Sequence, residues 1–292
     1  MKKILCAQGG GYRGVIIATV LNEIEKEFGS VYNLFDYFGG ASTGALITAL
    51  INKGYTTEEV LKFYKEYGEF IFNESWFDEV FEMFQNSPKY DGKNKTLVIE
   101  KYFNDFKFKN FKKPFTMTLC SLNGHSVIVN SWEEKFKNDF VSKYLDAGTA
   151  APIYFPSKKI GNNEYIDGGI NHNNPVDTLS CLANKIIFNG YDHKILNIGT
   201  GFKDIKVSGA ADYNVFEWLR NGNLIDYLSD TSPNNYRANI LSNNNHTLIN
   251  FEIPEKMVSI DNASNKIYKQ LNEIGKSWYK NNYNTIKLFL FS

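Results

Sequence analysis

The sequence predicts an α/β fold, and three observations carry the prediction. Ile4–Ala7 is a continuous apolar run of the kind found in strands buried on both faces, and Ile195–Ile198 reads as a further buried strand. Two strand-like approaches break into glycine turns that open one-faced apolar helices, at Gly9–Gly14 and at Gly40–Gly44. The 292 residues are 43% hydrophobic and 22% charged, which supplies a large core under polar helix faces. No internal repeat, low-complexity segment or Pro/Ser-rich linker divides the chain, so residues 1–292 are expected to form one domain. Its motifs lie within 4–201, and 202–292 forms a helical and strand-containing remainder.

Formal charge is zero, with 32 basic and 32 acidic residues, so no global field favours nucleic acid. Cys6, Cys120 and Cys181 lie far apart in apolar runs, a poor disulfide framework. They read as reduced core residues of a cytoplasmic protein. The basic start Met1-Lys2-Lys3 leads into only four apolar residues, too few for a signal peptide, and no apolar run nears the ~20 residues of a membrane span. The expected chain is soluble.

Element by element, Ile4–Ala7 opens into Gly9-Gly10-Gly11-Tyr12-Arg13-Gly14, and a helix follows over Val15–Phe28. Free backbone N–H groups collect at such a helix start and suit an anion. Gly9, Gly11 and Gly14 also satisfy the G-x-G-x-x-G dinucleotide pattern, but the acidic residue expected ~20 positions later is missing. Phe35–Phe38 then runs into Gly40-Ala41-Ser42-Thr43-Gly44 and a helix that stops at Gly54. This is G-x-S-x-G in the strand–turn–helix setting of a nucleophile elbow. A serine there is exposed above a helix start that favours developing negative charge. A serine N-cap on an ordinary helix is the competing reading.

Thr56–Glu59 forms a capping box for a helix with Val60, Phe63, Tyr64 and Tyr67 on one face. Helices are also expected over Trp76–Phe84 and Leu97–Phe103, separated by a surface loop over Asn86–Lys95. Phe106–Phe115 interleaves four lysines with four phenylalanines. An edge strand with core phenylalanines is favoured there over a membrane-surface contact. Asn123-Gly124 joins two strands in a hairpin whose type I′ turn needs positive φ at both residues.

A helix over Phe140–Leu145 leads into the small-residue block Ala147–Pro152. A second hairpin turns at Gly161-Asn162-Asn163 and delivers Asp167-Gly168-Gly169. Asp167 is a candidate catalytic carboxylate or a plain turn aspartate. Asn174-Pro175 starts a helix, and helices are expected near Val215–Leu228 and Asn234–Leu241. Thr247–Ile253 reads as a strand, Ser264 caps a helix, and the tail Ile286–Phe291 reads as a terminal strand.

A serine nucleophile needs a base. His193 or His246 could complete a triad with Asp167, although only one clear strand precedes Ser42, fewer than an α/β-hydrolase has. His125, His172, His193 and His246 all read as surface or loop residues, and no Cys/His spacing suggests a metal.

G-G-G-x-R-G at Gly9–Gly14, F-D-x-x-x-G-x-S-x-G over Phe35–Gly44, the block ending Ala150-Ala151-Pro152, and Asp167-Gly168-Gly169 with Asn173-Asn174-Pro175 together resemble the patatin-like phospholipase family. The resemblance covers nearly the first two-thirds of the chain, and from Lys203 onward it is loose. Gln8 departs from it, standing where many members carry aspartate. The resemblance implies a three-layer fold with a central, mostly parallel sheet flanked by helices. It implies a lipid acyl hydrolase with a catalytic dyad, Ser42 as nucleophile and Asp167 as base. Gly10, Gly11 and Tyr12 would form the oxyanion hole, and Arg13 would position that loop or meet a lipid phosphate. No cofactor or metal is implied, because the oxyanion hole supplies the charge stabilisation. The implied partners are a phospholipid or other acyl-ester lipid and a peripheral membrane surface, with room for a protein activator and none for nucleic acid. Two other functions compete, a latent lipid-binding effector and, on the glycine loop alone, a nucleotide-binding oxidoreductase.

Overall fold

The computed structural model describes residues 1–72, 88–203, 232–242 and 245–292. The helices expected over Trp76–Phe84 and Val215–Leu228 lie outside the described residues, as does the start of the Asn86–Lys95 loop.

A mixed, mostly parallel sheet forms the centre. Its strands are β1 (Lys2–Ala7), β2 (Tyr37–Ala41), β3 (Phe115–Ser121), β4 (Ser126–Asn130), β5 (Lys158–Ile160), β6 (Asn163–Asp167), β7 (His193–Ile198) and β8 (His246–Ile249). They run in the order β5-β6-β3-β2-β1-β7-β8, with β4 on β3. Strands β8, β7, β1, β2 and β3 are parallel, and the two hairpins add the antiparallel pairs. Every residue of β2 and β7 is buried, as helices on both faces require.

The connections begin with α1 (Gly14–Phe28) and the short α2 (Val31–Leu34). Then come α3 (Thr43–Lys53), α4 (Thr57–Ile71), α5 (Lys93–Phe103), α6 (Val141–Gly148), the one-turn α7 (Gly169–His172) and α8 (Val176–Leu182). Helix α3 is buried on every side from Thr43 to Asn52, which explains its unbroken run of small and aliphatic residues. It ends in Gly54 at φ 112°, as the sequence indicated. Helix α4 starts with the expected capping box. Glu59 N–H donates to Thr56 Oγ1 at 3.2 Å, and Thr56 N–H donates to Glu59 Oε2 at 2.7 Å, an arrangement worth about 1 kcal/mol.

The remainder carries α9 (Ser232–Leu241), α10 (Asn265–Asn281) and α11 (Tyr283–Phe291). Helix α10 packs on α1, where Asn272 Nδ2 donates to Thr19 Oγ1 at 3.0 Å. The tail is therefore a helix and no strand. Ile286, Phe289 and Leu290 recur at helical spacing on its buried face, and Phe289 stacks on Phe35.

Three further expectations need correction. Phe106–Phe115 forms no edge strand: residues 108–110 make one 3₁₀ turn, and Phe115 begins β3 inside the sheet. Phe108, Phe111 and Phe115 are buried together, about 1.5–3 kcal/mol each, so the phenylalanines were rightly placed in the core and the strand wrongly drawn. In the β3–β4 hairpin only Gly124 takes positive φ, at 79°, so the turn is not type I′. A four-residue loop over residues 122–125 removes the need for two left-handed residues. Cys6 and Cys120 are buried as expected, but Cys181 is exposed.

Candidate active site

Strand β3 brings the site together. Thr116–Thr118 pair with β2 on one side and β4 on the other, while Leu119 and Cys120 pair with β4 and β6. Strands β2 and β6 therefore meet end to end along one flank of β3. Ala41, the last residue of β2, sits opposite Thr118, and Asp167, the last of β6, sits opposite Leu119. That register places Ser42 beside Asp167. The Ser42 hydroxyl donates to Asp167 Oδ2 at 2.6 Å.

Ser42 occupies the strand-to-helix turn at φ 50°, one of three positive-φ non-glycine residues among those described. Such a backbone costs about 1–3 kcal/mol and persists where the surroundings enforce it. They do so by close approach. A Cβ on Gly44 would stand 2.1 Å from the Ala7 carbonyl oxygen, and one on Gly40 would stand 2.5 Å from Gly44. Helix α3 begins at the next residue and directs its positive end at the serine.

Asp167 is 5% exposed. Its Oδ1 accepts the Gly169 N–H at 2.7 Å, and its own N–H donates to the Ala150 carbonyl at 3.0 Å. Burial pushes its carboxyl up to about 6, against the pull of the Ser42 hydroxyl, the Gly169 amide and the charge of Lys95. It is a carboxylate at neutral pH and a far better proton acceptor than an exposed aspartate.

The glycine loop closes the opposite side. Gly9 N–H donates to the Asn173 carbonyl at 3.0 Å, and Thr200 Oγ1 donates to the Gly9 carbonyl at 2.8 Å. Arg13 braces the loop from behind, with Nε directed at the Gly10 carbonyl and Nη1 at the Gly201 carbonyl. Among the described residues no acceptor meets the Gly10 or Gly11 N–H, whereas Tyr12 N–H donates to the Ile260 carbonyl at 2.7 Å. Two of the three expected oxyanion donors thus stand open, and the third is engaged by the C-terminal part of the chain.

Ser42, Asp167 and the glycine loop border one cavity of about 170 Å³, walled by Leu46, Phe63, Phe72, Ile99, Phe155 and Ile260 among others. Such a space takes an extended apolar chain and holds the serine in a dry, low-dielectric setting. Lys95 also lines it, anchored to Asp146.

The histidines lie elsewhere. His193 and His246 begin β7 and β8, at the end of the sheet opposite the glycine loop, where His193 pairs with Lys2. His193 is buried rather than in a surface loop, with Nε2 against Ser180 Oγ at 2.9 Å. Burial pushes His246 down to about 4, so it stays neutral between Asn197 and Asn239. Neither forms a triad with Asp167. The residues that sequence reasoning missed are Lys95, Asp146 and Ile260. No motif marks them, and the polar run Asn86–Lys95 reads as a surface loop, whereas Lys93 already opens α5 and Lys95 is buried in it.

The family model described as Patatin-like phospholipase matches residues 5–180. The chain is 27% identical over 284 residues to "Patatin-like protein 2" of Oryza sativa subsp. indica, covering 80% of this chain and 70% of that protein. It is 30% identical over 175 residues to "Patatin-2-Kuras 1" of Solanum tuberosum, covering 53% of this chain and 45% of that one. Among solved structures, VipD from Legionella pneumophila superposes with a TM-score of 0.46 at 11% identity, over 94% of this chain and 67% of that one. The family match takes in β1 with the glycine loop, the elbow and Asp167, over more than half of the chain, and on it the chain belongs to the patatin-like phospholipase family.

Proposed function

We propose that this protein is a serine carboxylic ester hydrolase of the phospholipase A or lysophospholipase type, with Ser42 as nucleophile and Asp167 as general base. The observation that carries the reading is the 2.6 Å hydrogen bond from a strained, buried serine to a carboxylate of raised proton affinity, at the floor of an apolar cavity.

Ser42 Oγ attacks the acyl carbonyl carbon while Asp167 takes its proton, and the carbonyl oxygen becomes an oxyanion facing the Gly10 and Gly11 N–H groups. Each such donor is worth ~10²–10³ in rate. Collapse breaks the ester C–O bond, and Asp167 returns the proton to the leaving alcohol. Water then attacks the acyl-enzyme, losing its proton to Asp167, and Ser42 is regenerated as the acid departs. Tyr12 N–H adds a third donor only if the Ile260 carbonyl withdraws. That contact favours, as a second reading, a latent lipid-binding state released by a membrane surface or a protein activator. The dinucleotide alternative leaves Ser42 and Asp167 without a role. The acyl-ester reading uses them together with the glycine loop.

The test is release of p-nitrophenol from a medium-chain ester by wild type and Ser42→Ala, with chelator present. Turnover lost in the variant supports the hydrolase. Turnover retained in Ser42→Ala refutes it, and no turnover by folded wild type, with or without lipid vesicles, points to the latent state or to a binding role.

A further inference from the structure

We propose that Lys95 is a positioning residue of this site, its buried ammonium group holding the neighbouring Asp167 in the carboxylate form. The proposal rests on the Ser–Asp reading for its catalytic meaning, although its electrostatic core can be measured without turnover.

Lys95 is 4% exposed and lines the same cavity as Ser42 and Asp167. Its ammonium donates to the Asp146 carbonyl at 2.5 Å, to Asp146 Oδ1 at 2.6 Å and to Thr149 Oγ1 at 3.0 Å. Three donors thus meet three acceptors, and no N–H remains for a substrate. Lys95 acts through its charge.

That charge is not cancelled locally. Asp146 also accepts from Lys158 Nζ at 2.8 Å and from Thr96 Oγ1 at 2.7 Å. Asp146 is thus shared between two lysines: Lys158 is partly exposed and also acts on Asp91, whereas Lys95 is buried, and a buried charge is retained only where something compensates it. Among the described residues bordering the cavity, Asp167 is the only carboxylate. The other cation there, Arg13, faces the Gly10 and Gly201 carbonyls. Among the described residues, Lys95 from α5 acts on Asp167, as does the nearby Cys120 thiol of β3, which stays protonated because burial raises it. The link is mechanical too: Lys95 pins Asp146 and Thr149, and the adjacent Ala150 carbonyl holds the Asp167 N–H. Burial lowers Lys95 to about 8 and raises Asp167 to about 6, so between those values both groups are charged.

The experiment is a carboxyl-¹³C NMR titration of the full chain, with the Asp167 resonance identified by its loss in Asp167→Asn. Lys95→Met is expected to move the Asp167 midpoint up by about one pH unit, and Lys95→Arg to leave it near the wild-type value. Lys95→Gln, which keeps a donor for Asp146 but carries no charge, is expected to move it up likewise. If wild type hydrolyses esters, the acid limb of kcat/KM follows each shift. A purely structural role lowers activity at every pH and moves no midpoint. An unmoved midpoint in folded Lys95→Met overturns the proposal. Should that variant not fold, an unmoved midpoint in Lys95→Gln overturns it equally. A wild type without esterase activity leaves this titration intact and bears only on the hydrolase reading.

Discussion

Tyr12 donates its backbone N–H to the Ile260 carbonyl, joining the N-terminal glycine loop to a segment far beyond the family-matched residues 5–180. The contact is close on both sides, since a Cβ on Gly11 would stand 2.2 Å from the same carbonyl oxygen. Ile260 also borders the cavity, so the C-terminal part takes part in shaping the site. Each chain methylene excluded from that cavity forfeits about 0.8 kcal/mol of burial. Ile260→Trp is accordingly expected to lower kcat/KM roughly tenfold for long-chain p-nitrophenyl esters and to spare the acetate. A chain-length profile identical to wild type would exclude Ile260 from the acyl path.

Asp167 should cost the protein stability. Its carboxyl titrates near 3.8 in an unfolded chain and near 6 in the fold. A folded-state value above the unfolded one means that ionisation favours unfolding, so stability is lost as pH rises from about 4 through 6. Two pH units correspond to roughly 2–3 kcal/mol at neutral pH. Asp167→Asn keeps an oxygen for the Gly169 N–H and offers an N–H to the Ser42 hydroxyl. It is expected to abolish turnover while raising the denaturation midpoint at pH 7, with the gain vanishing near pH 4. A destabilised Asp167→Asn would mean that the carboxylate is structural.

Activity should follow the same group. A base must be unprotonated, so kcat/KM on a neutral ester is expected to fall tenfold per unit below about pH 6 and to level off above it. If the limb instead sits near 4, where an exposed aspartate titrates, the cavity is wetter than its apolar walls imply.

The site was legible in sequence where backbone geometry demands particular residues. Gly40 and Gly44 have backbone atoms 2.1–2.7 Å from where a Cβ would stand, and Ser42 between them holds a positive φ; such constraints leave a fixed local pattern. Asp167 could be named because its strand ends in the same kind of glycine-dependent turn. Lys95 and Ile260 could not. Their roles come from where α5 and the C-terminal segment fall in space, and a lysine pairing with an aspartate 51 residues away leaves no local trace. The fold was legible at the same level. Parallel strands announced themselves by continuous apolar runs, whereas Phe106–Phe115 and Ile286–Phe291 mix signals that only tertiary packing decides.

The two kinds of glycine in this chain should respond differently to one added methyl group. At Gly44 the methyl would meet the Ala7 carbonyl oxygen at 2.1 Å, on a strand locked between β2 and β7. Neither partner is the far end of a flexible side chain, so the backbone must move. Gly44→Ala is expected to cost roughly 3 kcal/mol or more and to displace the serine. At Gly124 no atom lies within 4 Å, and the penalty is only that of holding alanine at φ 79°. Gly124→Ala should therefore cost about 1–2 kcal/mol and leave the Ser42–Asp167 pair undisturbed. Urea denaturation of the two variants, read beside ester turnover, checks the contrast. Similar losses at both positions would mean that the elbow tolerates backbone adjustment, and that the positive φ of Ser42 does not arise from close packing against β1.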